Sequence, residues 1–167
     1  MIVSNSSPLI YLAKLRKLSF LKILFKEINV PSEVYEEVVT LGKEANFPDA
    51  FAVEQAKKEG WLIVDTISQK KEIEVLAAEI DFGEAAVIAL ARKHGTSLLL
   101  IDDASARTIA ESFGFKVKGT LFVLLRAYKK KIIGKEEVKH LVGQLIREGF
   151  RISQELYVQV LEEIERA

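Results

Sequence analysis

The run Ser97-Leu98-Leu99-Leu100-Ile101 is the most constraining stretch of this chain: too apolar for a surface and too short for a buried helix. It lies between a helical pattern that stops at Gly95 and another that starts at Ala104. A short strand buried on both faces and flanked by helices belongs to a parallel sheet covered on each side. The same alternation recurs along the chain, which predicts an α/β fold. Further strands are expected at 1–4, 27–30 (stopped by Pro31), 61–64 and 115–118.

Helices are expected between them. Pro8 suits the first turn of a helix opening at Ser7, residues 20–25 form a second, and Ser32 is placed to cap a helix carrying Val34, Val38 and Val39. Helices over 50–59, 83–93 and 104–113 each run into a glycine, Gly60, Gly95 and Gly114, where a left-handed residue ends the turn. Residues 121–128 form another. Past Gly134 the rhythm changes, and two amphipathic helices, 135–147 and 153–166, follow with no strand between them. The expected organisation is a domain over 1–130 with a two-helix extension, 131–167, packed on it.

Composition removes several classes of function. With no cysteine, disulfide and thiolate-metal chemistry are excluded, and the two histidines, His94 and His140, are too few and too separated for a histidine-built metal site. No apolar run approaches the ~18 residues of a membrane span, and Met1–Asn5 lacks the charged start and apolar stretch of a signal peptide, so a cytoplasmic protein without membrane contact is expected. The 24 Lys+Arg balance 24 Asp+Glu, which argues against simple coating of nucleic acid. The balance is uneven, however. Residues 61–110 carry 5 basic and 8 acidic groups, while between Glu111 and Lys135 there are seven Lys/Arg and one acid. A cation-binding centre beside a band for a phosphate polymer would have this pattern, and so would a solvated, lysine-rich helix end.

In parallel α/β sheets the functional groups gather where strands end and helices begin. Asn5, Ser6 and Ser7 follow the first strand; Glu36 and Glu37 lie one turn into the helix after the second; Asp81 and Glu84 open the helix over 83–93; Asp102 and Asp103 end the most buried strand. Mg²⁺ and Mn²⁺ prefer oxygen ligands and keep several waters, so a few convergent carboxylates suffice to hold one. The same residues also have structural uses. Asp81 and Glu84 have the spacing of a capping box, Asp103 is placed to cap the helix from Ala104, and Glu36 and Glu37 suit an exposed helix face. Two adjacent aspartates exceed what one cap requires.

Four stretches in order resemble a known family: Val3-Ser4-Asn5-Ser6-Ser7-Pro8-Leu9-Ile10, Val30-Pro31-Ser32-Glu33-Val34-Tyr35-Glu36-Glu37-Val38, Asp81-Phe82-Gly83-Glu84-Ala85-Ala86-Val87-Ile88, and Leu99-Leu100-Ile101-Asp102-Asp103-Ala104-Ser105-Ala106-Arg107, with Gly119-Thr120 beyond. Together they look like a PIN domain, nearest to a VapC-like prokaryotic branch. The resemblance implies a three-layer α/β/α fold with a central parallel sheet of about five short strands, and a metal-dependent ribonuclease with Mg²⁺ or Mn²⁺ as cofactor. Many such relatives are toxins silenced by a cognate antitoxin, and a homodimer is common among them. By position it makes Glu37 the acid of the second motif with Glu36 the fallback, Glu84 that of the third, and Asp103 that of the fourth with Asp102 the alternate. Ser7 matches the small hydroxyl residue that steadies the site, and Asp81, with Glu36, is expected in a supporting place. Asn5 departs from the pattern, an amide standing where the family usually carries Asp.

The resulting expectation is RNA hydrolysis with Asn5, Glu37, Glu84, Asp102 and Asp103 around the metal, and with Arg107, Lys116 and Lys118 on RNA phosphates. The alternative favoured by Asn5 is a PIN-like module that binds RNA or protein without cutting.

Overall fold

The computed structural model describes residues 1–68, 70–96 and 98–167. Among these, five strands form one all-parallel sheet: β1 (Ile2–Ser4), β2 (Ile28–Pro31), β3 (Leu62–Asp65), β4 (Leu98–Leu100) and β5 (Lys116–Lys118), in the order β3-β2-β1-β4-β5. Ser97, expected at the head of the fourth strand, lies outside the described residues. Val3 pairs with Leu99 and Ser4 with Leu100, so β1 and β4 are in register along their whole length. Both are central strands, and Val3, Leu99, Leu100 and Ile101 are fully buried, as their apolar run requires.

The connecting helices are α1 (Ser6–Lys14), α2 (Ser19–Phe25), α3 (Ser32–Tyr35), α4 (Gly42–Glu44), α5 (Pro48–Lys58), α6 (Lys70–Leu76), α7 (Phe82–His94), α8 (Ala104–Ser112), α9 (Thr120–Lys129), α10 (Lys135–Arg147) and α11 (Gln154–Arg166). They cover both faces, α1, α2, α5 and α9 touching one another on one side and α6, α7 and α8 on the other, which gives three α/β/α layers. In α7 every residue from Glu84 to Ala91 is buried; its four alanines let the helix lie close against β1 and β2. The chain winds β1 to β2 to β3 in one direction, then crosses to β4 and β5 in the other. The reversal falls between β1 and β4, where an open parallel sheet leaves a crevice outside its strand ends.

Two local expectations give way, and one helix was not expected at all. Ser32 is the first residue of α3 rather than its cap, and its hydroxyl donates to Glu33 Oε2 at 3.1 Å instead of accepting from the backbone. The helix that follows does not continue as α: Glu36–Leu41 is π-helical, a wider turn. Helix α6 carries only one fully buried apolar residue, Ile73, among charged neighbours, too faint a period to read from sequence. Beyond α9, α10 buries Val138, Leu141, Val142 and Leu145 against it, whereas α11 buries only Val160 and Ile164. The Tyr128 hydroxyl ties α9 to the end of α11 by donating to Ile164 O at 3.0 Å. No helix of the described residues is long and apolar enough to cross a membrane.

Candidate functional site

Two of the three strands that feed the acidic residues flank the reversal point, and their ends determine what meets there. Asn5 follows β1 and is locked to β4 through its backbone N–H, which donates to Leu100 O at 2.9 Å. Its side chain caps α1: Oδ1 accepts from Ser6 N at 2.7 Å. Its Nδ2 points across to α7 and donates to Glu84 Oε1 at 3.3 Å. Glu84 in turn accepts from Asp81 N at 3.3 Å through Oε2, closing a capping box on α7.

Glu37 reaches the same place from the π-helical turn. Its Oε2 accepts from Ser6 Oγ at 2.7 Å. The approach is tight: a Cβ on Gly83 would lie 3.2 Å from that Oε2 and 3.8 Å from Asn5 Oδ1. Asn5, Ser6, Ser7, Glu37, Asp81, Phe82, Gly83 and Glu84 therefore line one depression of about 290 Å³. A second, of about 350 Å³, shares Asp81 and Glu84 and is completed by Asp103 and Ser105. Glu84 and Asp81 stand between the two, so the residues of both hollows form one acidic rim.

Glu84 is 6% exposed and Asn5 5%. Burial pushes the Glu84 carboxyl up to about 7, and the negative charge of Asp103, followed by those of Asp81 and Glu37, adds to the effect, while the Asp81 N–H pulls the other way. Asp103 spends one oxygen on its helix, Oδ1 accepting from Ala106 N at 2.9 Å as the cap of α8. Both structural uses read from the sequence, the capping box and the Asp103 cap, are thus realised, and neither removes the residue from the rim.

Other candidates are placed elsewhere. Glu36 is exposed and lines neither hollow. Asp102 turns away from the rim: Oδ1 accepts from Thr120 N at 2.7 Å and Oδ2 from Thr120 Oγ1 at 2.6 Å. Burial raises its carboxyl above the ordinary range, opposed by these two bonds and by the Arg107 charge. Ser7 lines the depression, but the hydroxyl that bonds the acid is that of Ser6. Both serines were visible in the sequence; which of them turns inward depends on the start of α1. Gly83 and the pair Gly119-Thr120 are further contributors; Gly83 stands directly before Glu84 in the sequence, whereas Gly119 meets Asp102 only in the fold.

On the far side of the Asp102–Asp103 loop, a groove of about 960 Å³ runs between α8, α9 and α11. Arg107, Lys118, Arg126, Lys129 and Arg151 line it, against Asp102, Glu111 and Glu163, with Leu121, Phe122 and Phe150 on its apolar parts. Lys118 lies over the Phe122 ring at 5.4 Å, and Arg126 lies between Phe25 and Phe122 with its Nε unbonded. Arg107 donates to Ile101 O at 3.4 Å rather than to an acid. Lys116 is exposed on β5 outside the groove lining.

The donor chemistry of the rim is all oxygen, carboxylates with one amide, and fits a hard divalent cation rather than a soft one. Among the described residues, no three His, Cys, Asp or Glu side chains stand close enough together to hold a metal ion. Like charges keep apart, and the side chain that bridges toward Glu84 is the amide of Asn5.

A family model described as a PIN domain matches residues 1–166, the tail included. No curated protein and no solved structure matches the chain significantly.

Proposed function

This chain belongs to the PIN-domain family, whose fold is of nuclease type, and from that premise we propose that it is a divalent-metal-dependent endoribonuclease of VapC-like kind. The observation that supports the reading best is that Asn5, Glu37, Glu84 and Asp103, from four separate stretches of chain, line two adjoining hollows that share Glu84, beside the point where the strand order reverses. Glu84, which lines both hollows, would hold Mg²⁺ or Mn²⁺ together with Glu37 on one side or Asp103 on the other, and Asn5 would serve as a neutral donor. The ion would supply water activation and charge neutralisation at the scissile phosphate.

The chain's own residues do the rest. Ser6 fixes the Glu37 carboxylate, Asp81 N–H and Asn5 Nδ2 fix that of Glu84, and the α8 cap fixes Asp103, so the donors are oriented before substrate arrives. Arg107, Lys118 and Arg151 in the adjoining groove, with Lys116 outside it, offer cations to flanking phosphates, interactions that position RNA without reading its bases. A cognate antitoxin and a homodimer are part of this proposal by family likeness.

The test is cleavage of single-stranded RNA by purified protein with Mn²⁺ or Mg²⁺, its loss in EDTA, and its loss in Glu84→Gln. Equal cleavage by that variant would assign the activity to another site or a contaminant.

A second reading has its own support. The Asn5 amide donates to Glu84, taking a place where the family usually carries an acid, and no carboxylate trio is assembled among the described residues. A PIN-like module that binds RNA or protein without cutting accounts for this. Absence of Mn²⁺ binding at millimolar concentration would favour it.

A further inference from the structure

Asp102 and Asp103 are neighbours in sequence yet face opposite ways, Asp103 into the acidic rim and Asp102 into the basic groove. The reason lies in how α9 begins. Its N-cap position is Gly119, which has no side chain to receive the orphan N–H groups of the first turn. Asp102 supplies that acceptor from 18 residues upstream, taking Thr120 N on one oxygen and the Thr120 hydroxyl on the other. Thr120 is fully buried, so the donors of both bonds are sheltered from bulk water.

The loop is held from the same side at two further points. Ile101 N donates to Lys118 O at 2.8 Å, and Arg107 reaches back to Ile101 O. Gly119 makes the close approach possible: a Cβ there would collide with Asp102 Oδ1, so any side chain at this position would push the carboxylate off Thr120. Directly after this anchor, Asp103 caps α8 through one oxygen. Its backbone is therefore fixed on both sides, and its side chain lines the hollow that it shares with Glu84.

We propose that Asp102 is a positioning residue and not a metal ligand: clamped by Thr120 beside Gly119, it sets the loop that aims Asp103 at the cation site. This rests on the metal-site reading above and gives Asp102 a different task from Glu37, Glu84 and Asp103.

Calorimetric titration of Mn²⁺ into wild type, Asp102→Asn, Asp102→Ala, Thr120→Val, Thr120→Ser and Glu84→Gln tests it, with thermal melting as the control for folding. An asparagine at 102 keeps the clamp, accepting from Thr120 N and donating to Thr120 Oγ1, so Asp102→Asn should stay within about 3-fold of wild-type affinity. Thr120→Val and Asp102→Ala should weaken Mn²⁺ binding by roughly 10-fold, the usual cost of losing an orienting partner, and Thr120→Ser should restore it. Should Asp102→Ala fail to fold, the Thr120 pair carries the test. Loss of binding in Asp102→Asn as severe as in Glu84→Gln would make Asp102 a ligand and overturn the proposal. So would wild-type affinity in a folded Thr120→Val. If wild type itself binds no Mn²⁺, the metal reading fails first and the positioning role falls with it.

Discussion

Asn5 Nδ2 stands 3.3 Å from Glu84 Oε1, so the end of the first strand donates a hydrogen bond to the start of α7 across 79 residues of sequence. The bond meets a carboxyl that burial and its acidic neighbours work against and that the Asp81 N–H partly relieves, so the stability of the fold is coupled to the charge state of the rim.

That coupling has a definite sign. The Glu84 carboxyl is raised from its ordinary 4.5 to about 7, so the folded state holds the proton more tightly than the unfolded chain. Below pH 4.5 there is no penalty; between 4.5 and 7 folding becomes progressively less favourable, and above 7 the full cost, about 3 kcal/mol, applies. In EDTA at pH 8, Glu84→Gln should therefore be more stable than wild type by about 2 kcal/mol, since its amide loses about 1 kcal/mol on one of its two donors. At pH 4 the variant should be the less stable. Urea denaturation at both pH values checks this, and an identical difference at the two would refute it.

Asn5→Asp replaces a donor by a second acceptor facing Glu84. The metal-free protein should melt lower, because two like charges then share a buried edge. Mn²⁺ affinity should rise by roughly 10-fold, about 1.4 kcal/mol, as the ion gains a charged partner. Calorimetry showing unchanged affinity would remove Asn5 from the site.

Ser6→Ala should lower RNA cleavage by roughly 10-fold, because Ser6 Oγ is the donor that holds Glu37 at 2.7 Å. Ser7→Ala should have a smaller effect, since the hydroxyl that orients Glu37 belongs to its neighbour. Single-turnover rates rank the two, and the reverse order would restore the role that family position gives to Ser7.

Gly83→Ala separates site from scaffold. Alanine is the better helix former by up to about 1 kcal/mol, so stability should hold or increase slightly. Its Cβ, at 3.2 Å from Glu37 Oε2, should displace that carboxylate and reduce Mn²⁺ affinity. A variant that melts no lower but binds Mn²⁺ as wild type does would show that Glu37 is not needed there.

Lys118→Ala combined with Arg151→Ala should weaken binding of a non-cleavable oligonucleotide. The slope of log affinity against log salt should flatten by about 0.7 for each phosphate that the variant no longer neutralises, the single-strand value. Unchanged affinity and slope would mean that the groove takes something other than a phosphate chain.

The sheet was the most legible part of the sequence, because a strand covered on both faces must be apolar throughout, and Leu98–Leu100 is. Helix ends at Gly95 and Gly114 were readable for an equally local reason: both glycines take the left-handed φ that a stop requires. Within the site, Glu84 and Asp103 announced themselves by position, yet their spacing was equally that of caps, and they turned out to be caps that also face the rim. The direction that Asp102 faces was not legible, because direction within a loop is decided by a distant partner, here Thr120, which no local pattern encodes. The preference for Ser6 over Ser7 likewise depends on where α1 begins, a matter of one residue.

Asn5, Glu84 and Asp103 each start a helix with the same side chain that faces the crevice. Their chemistry is therefore protected twice over, once by whatever reaction they serve and once by the need to fold. A descendant that abandoned the reaction would go on carrying all three, and their persistence in a lineage would record the architecture rather than the trade it was first used for.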